Sequence, residues 1–90
     1  MDMATKTQQR KQLKEIAKGL YWNHKVELMV VEQEGGDVYP YPISKAPLIT
    51  GNEYEFYIVG YRREGFGDNA HFWNEGVIDL KLTPNGIEAA

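Results

Sequence analysis

The chain has no cysteine. That excludes a disulfide framework and any thiolate-held metal site. Histidine is scarce: His24 and His71 stand alone, and neither belongs to an HExxH or similar spacing, so the pattern points to no metal centre. Ser44 is the sole serine and sits in no nucleophile elbow. The glycine-containing stretches GGD, GNE and GFGD match neither the phosphate loop nor the strand–GxGxxG–helix unit. No apolar run approaches the roughly 20 residues that span a bilayer. The polar opening MDMATKTQQRKQ lacks the apolar core of a secretory signal. The expectation is a cytoplasmic protein with no enzyme activity, no catalytic residues, no cofactor and no metal, acting away from membranes.

What is present fits a small globular domain. Ninety residues make one domain, spanning 1–90, and its core must use nearly every large apolar side chain. The net charge of −3 hides an asymmetry. Residues 1–25 carry six basic side chains against Asp2 and Glu15, whereas residues 26–90 carry four against eleven acids. A basic head therefore joins an acidic body. Such a body repels phosphate backbones, so nucleic acid would have to be held by the head or by a local patch.

The hydrophobic period is helical first. Thr5 with Gln8 three residues on reads as a capping box, and Leu13, Ile16, Ala17 and Leu20 recur on one face. A helix over 5–20 follows, with Arg10, Lys11, Lys14 and Lys18 on a neighbouring arc. Those four are the candidate nucleic-acid contacts, set against the plainer reading of a solvated face. The period then changes to two. Strands are predicted over 25–33, 38–43, 53–63, 70–74 and 77–83, with a hairpin turn at 34–37, a turn at Gly51-Asn52 and a junction at Glu75-Gly76. Pro40 and Pro42 confine their strand to an edge. Residues 84–90 read as a turn and tail. The fold class is α+β, mainly β: a helix, then a five-stranded antiparallel sheet over 25–83, bent into an SH3-like or Sm-like barrel. The runner-up is an open sheet with the helix packed across one face.

The densest stretch is EYEFYIVGYRREGFGDNAHFW, residues 53–73. Its strand is apolar on both faces, with Phe56 and Ile58 on one and Tyr57, Val59 and Tyr61 on the other. Such a strand is covered on both sides. One face fills the core; the other meets the helix (the leading expectation for Tyr57 and Tyr61), a sister chain or a ligand. Arg62 and Arg63 beside aromatics suit anions or planar rings, unless local acids such as Glu64 neutralise them. Phe66, between two glycines, is a plug or a contact point. The candidate ligand or partner residues are Tyr57, Tyr61, Arg62, Arg63, Phe66, His71 and Trp73.

The stretch GNEYEFYIVGYRREGFGDNAHFWNEGVIDLKLT resembles the core of the WYL domain, a bacterial Sm-like barrel named for a Trp-Tyr-Leu triplet. Phe56-Tyr57-Ile58 stands at the triplet after the turn glycine Gly51, and Val59-Gly60-Tyr61 follows. Phe72 falls at the family's Phe; Val77, Leu80, Leu82 and Thr83 form its closing strand; VYPYPISKAPLI matches its proline-containing stretch. The likeness covers about residues 25–83. The family's ligand-site arginines fall here on Asn69 or Ala70 and on Gly76, so the resemblance implies the barrel rather than that site. It also implies a regulator, bacterial or phage-associated, of the kind that senses nucleotide-like ligands. The function expected is a non-catalytic regulatory or accessory module that binds a protein partner or itself. The alternative is nucleotide or single-stranded nucleic-acid binding through an arginine–aromatic rim.

Overall fold

The computed structural model describes residues 5–20, 25–32, 35–51 and 54–90. His24, Glu34 of the expected hairpin turn and Asn52 of the expected Gly51-Asn52 turn lie outside the described residues. Helix α1 runs Lys6–Ile16 and continues as a 3-10 turn over Ala17–Leu20. Its first turn closes as the capping box: the Gln8 N–H donates to Thr5 Oγ1 at 3.2 Å, and the Thr5 N–H donates to Gln8 Oε1 at 2.8 Å. Two N–H groups that the helix cannot satisfy internally are thereby bonded.

Among the described residues the strands are β1 (Lys25–Glu32), β2 (Val38–Pro42), β3 (Tyr54–Glu64), β4 (His71–Thr83) and β5 (Gly86–Ala89). They form one antiparallel sheet in the order β2-β1-β3-β4-β5. The architecture is thus α+β, mainly β. The sheet is open and is not closed into a barrel, because the outer strands β2 and β5 do not pair with each other. The composition of those edges accounts for this. Pro40 and Pro42 remove two ladder donors from β2, as an edge strand tolerates, and β5 is only four residues long.

Two strand boundaries differ from the expectation. Residues 70–74 and 77–83 are not two strands joined at Glu75-Gly76; β4 runs through them. Gly60 pairs with Gly76 but Tyr61 pairs with Asn74, so Glu75 is an extra residue absorbed as a bulge. The turn-like Glu-Gly pair bends a strand instead of ending one. Nor are residues 84–90 a tail. Gly86, at φ 114°, turns the chain back so that Ile87 pairs with Leu82.

The helix lies on the face that carries Phe56 and Ile58, not over Tyr57 and Tyr61 as expected. Leu13 and Ala17 pack there with Leu28, Ile58 and Leu80, and Leu13, Leu28 and Ile58 are fully buried. A notch explains the choice. Gly60 and Gly76 face each other across β3 and β4, and Leu20 fills the space: a Cβ on Gly76 would lie 2.7 Å from Leu20 Cδ2. The other face of the same strands presents Tyr57, Val59 and Val77, with no such gap.

Two glutamines bolt the helix down. Gln9, 1% exposed, donates through Nε2 to the Ile49 carbonyl and accepts from the Ile49 N–H through Oε1, both at 2.8 Å. This imitates a strand-to-strand bond pair and satisfies a backbone segment that lies outside the sheet. Gln12 does the same at the far edge, donating to the Asn85 carbonyl at 2.8 Å and accepting from the Ile87 N–H at 3.0 Å.

Candidate interaction surface

The face of the sheet turned away from α1 carries three of the candidate residues, Tyr57, Tyr61 and Arg63. Strand alternation and register order it in rows. Pro40, Met29, Tyr57 and Asp79 lie side by side; Pro42, Glu27, Val59 and Val77 form the next row. A shallow depression of about 320 Å³ is lined by Met29, Tyr57, Val59, Asn74, Val77 and Asp79. Val59 is only 4% exposed although no helix among the described residues lies over it; its partners in the sheet are Glu27 and Val77, and Val77 is 55% exposed. Tyr57 is half-buried at the centre.

Tyr61 stands at the border of this face. Its hydroxyl donates to Glu27 Oε1 at 2.8 Å. Partial burial first, and then the bond to the Glu27 carboxylate and its charge, push the phenol up to about 12. Lys25 reaches the same carboxylate at 3.9 Å.

Beyond Tyr61, the described part of β3 pairs only with β4, and the two strands continue as a narrow ribbon. The molecule is accordingly elongated, 48 × 30 × 20 Å. Adjacent residues of a strand point to opposite sides, so the ribbon separates the two arginines. Arg62, across from Trp73, is held by carboxylates: its Nε donates to Glu75 Oε1 at 3.0 Å, and Nη1 bonds Glu64. These bonds, that to Glu75 before that to Glu64, raise its already high pKa. Arg63 shares the open side with Phe72 and Tyr61. Its guanidinium lies 5.9 Å from the Phe66 ring centre, and no carboxylate among the described residues pairs with it. Tyr61 and Phe72 meet edge to face at 5.6 Å. On the reverse side His71 and Trp73 are neighbours, with ring centres 5.1 Å apart. Phe66 is 87% exposed and Phe72 is 58% exposed.

Of the residues singled out from the sequence, Tyr61, Arg63 and Phe66 therefore join one side of the ribbon; Arg62, His71 and Trp73 occupy the other. Tyr57 sits apart, in the middle of the sheet. The reading missed Phe72, Val77, Met29 and Pro40. Phe72 carried a signal, since it alternates with Trp73. Val77 did not, because its side depends on the bulge at Glu75.

The four helix cations divide as well. Arg10 Nε donates to the Ala46 carbonyl at 2.9 Å, and Lys18 pairs with Glu15 at 3.4 Å. Lys11 and Lys14 are exposed beside Arg10.

Among the described residues no cluster of three or more His, Asp or Glu side chains is placed to hold a metal ion, and no helix is long and apolar enough to cross a membrane. Comparison with family models, with curated proteins and with solved structures found no match for this chain.

Proposed function

We propose that this protein is a non-catalytic interaction module whose uncovered sheet face docks on a second copy of the chain. The observation that carries the reading is an apolar centre, Met29, Tyr57, Val59 and Val77, with opposite charges at its two ends. Lys25 and Arg63 stand at the ribbon end, whereas at the other end Glu55, Asp79 and Glu88 outnumber Lys81. Two such faces packed by a two-fold axis, strands antiparallel, set each cationic end over an acidic one. An isologous contact requires this self-complementarity. The reading extends to a cytoplasmic regulatory or accessory role, as the WYL resemblance implies. Kinship with SH3- or Sm-like barrels belongs to the same proposal and rests on the strand number and on the bend at Gly60 and Gly76.

Light scattering tests it. The expected result is a mass approaching twice 10.3 kDa at high micromolar concentration. Val77→Asp returns the mass to that of the monomer without altering the circular dichroism spectrum. A monomer throughout overturns the reading, and so does a dimer indifferent to Val77→Asp.

Nucleotide or single-stranded nucleic-acid binding is the second reading, and Arg63 favours it. A guanidinium with no acid partner among the described residues, set beside Phe66, Phe72 and Tyr61, suits an unstacked base. Arg62 is already neutralised, so Arg63→Ala rather than Arg62→Ala should abolish such binding.

A further inference from the structure

The strongest concentration of positive charge lies away from the face just described. Thr7, Arg10, Lys11 and Lys14 follow one another at i, i+3, i+4 and i+7, which places them on one stripe of α1. That stripe does not simply face solvent. The 3-10 turn over Ile43–Lys45 rises beside it, and Ser44 closes the far wall of a concavity of about 280 Å³ lined by Thr7, Arg10, Lys11, Lys14 and Ser44. The lining comprises three cations and two hydroxyls, and no carboxylate.

We infer that this concavity is a binding site for a phosphate group, carried by a nucleotide or by a polynucleotide backbone. Three features set it apart from a solvated lysine stripe. First, Arg10 is fixed: its Nε bond to the Ala46 carbonyl anchors the guanidinium against a fully buried residue, which leaves the terminal nitrogens to donate to a ligand. Second, the charge is uncompensated. The one acid of the helix, Glu15, is engaged with Lys18, and no carboxylate among the described residues pairs with Arg10, Lys11 or Lys14. Third, Thr7 and Ser44 add neutral donors, one from each wall. Phosphate offers several strong acceptors at once, and a mixture of ammonium, guanidinium and hydroxyl donors suits it. The acidic body does not decide against the site, because charges further than about 10 Å away are screened at 0.1 M salt. Lys18, alike in sequence, lies outside the concavity.

The test uses the full-length protein and three probes: inorganic phosphate, pyrophosphate and a short single-stranded oligonucleotide, each followed by amide chemical shifts and by calorimetry. Shifts should cluster at residues 7–14 and 44–46, and affinity should fall with salt. Lys11→Gln with Lys14→Gln should weaken binding at least about tenfold, since each removes a charged donor. Lys18→Gln, on the same helix, should leave it unchanged. If pyrophosphate binds as well as the oligonucleotide, the natural ligand is a free phosphate compound. Tighter oligonucleotide binding, with a steeper salt slope, assigns it to a polynucleotide backbone. No localised shifts with any probe, or binding that survives the double substitution, overturns the site. Unchanged unfolding midpoints for the variants exclude loss of fold as the cause.

Discussion

The two faces of this sheet are built from the same three central strands, and both are apolar at their middle. On one, Leu28 and Ile58 lie fully buried beneath Leu13 and Ala17. On the other, Val59 is buried with no helix among the described residues over it, and Val77 is half exposed. The difference teaches that local hydrophobicity specifies that a face will be covered, but not by what. The helix goes where its Leu20 finds a notch, and the notch is two glycines. The other face keeps full-sized side chains, and it is the one proposed to dock on a second copy.

The sharpest way to break this comparison is to cut the neighbours Ile58 and Val59 back to alanine separately. Ile58→Ala should cost about 3 kcal/mol, because it opens a cavity between two layers that cannot collapse onto it. In a domain whose whole stability is of the order of 5–15 kcal/mol that is severe. Val59→Ala should cost only about 1.5 kcal/mol in the monomer, roughly the transfer term for its lost methyl groups, since water or a moving Tyr57 can fill the space. Urea unfolding at low protein concentration measures both. Equal costs there would mean that the open face is as much a core as the covered one. If the face pairs with a second copy, the Val59→Ala cost should instead grow with protein concentration.

A second substitution probes what holds the helix to its chosen side. Gly86 sits at φ 114°, and a Cβ there would collide with the Gln12 amide. Gly86→Ala should therefore cost about 1–3 kcal/mol in backbone strain, with about 1 kcal/mol more for each Gln12 bond displaced. Gly36, at φ 68°, has open space around it, so the alanine change there should cost only about 1 kcal/mol. Thermal unfolding of the pair separates the conformational part from the clash. If the two variants melt together, Gln12 is not a fastener and the helix is held by its apolar face alone.

Legibility followed distance along the chain. The capping box lies within four residues, and it was readable. So were the alternation of β1 and β3 and the edge position that Pro40 and Pro42 require of β2. Each is a property of one segment. The bulge at Glu75 was not readable, because it exists only as a mismatch between β4 and a strand some fifteen residues earlier. Missing it divided β4 in two and put Val77 on no particular face. The strand β5 was missed for a related reason: four residues carry almost no period, and what orders them is Gln12, over seventy residues away. The arginine pair was half legible. Neighbours on a strand must point apart, so Arg62 and Arg63 could not share one rim, but only the folded ribbon shows that Glu64 and Glu75 claim the first.

The smallest effect expected lies at the border of the open face and depends on pH. Tyr61 carries a phenol raised from 10.0 to about 12, chiefly by burial and then by its bond to Glu27. A folded-state pKa above the unfolded one means that the unfolded chain loses its proton first as the solution becomes alkaline. The contribution is therefore fully present below pH 10 and is lost between pH 10 and about 12. Tyr61→Phe removes the titration and the bond together. The variant should be slightly less stable at neutral pH, by roughly 1 kcal/mol for the lost hydrogen bond to a part-buried carboxylate. Above pH 10 its stability should decline less steeply than that of the parent protein. Parallel decline in the two proteins would show that Tyr61 is solvated like an ordinary surface phenol, and the boundary between shielded and bare residues on this face would then run through Val59 instead.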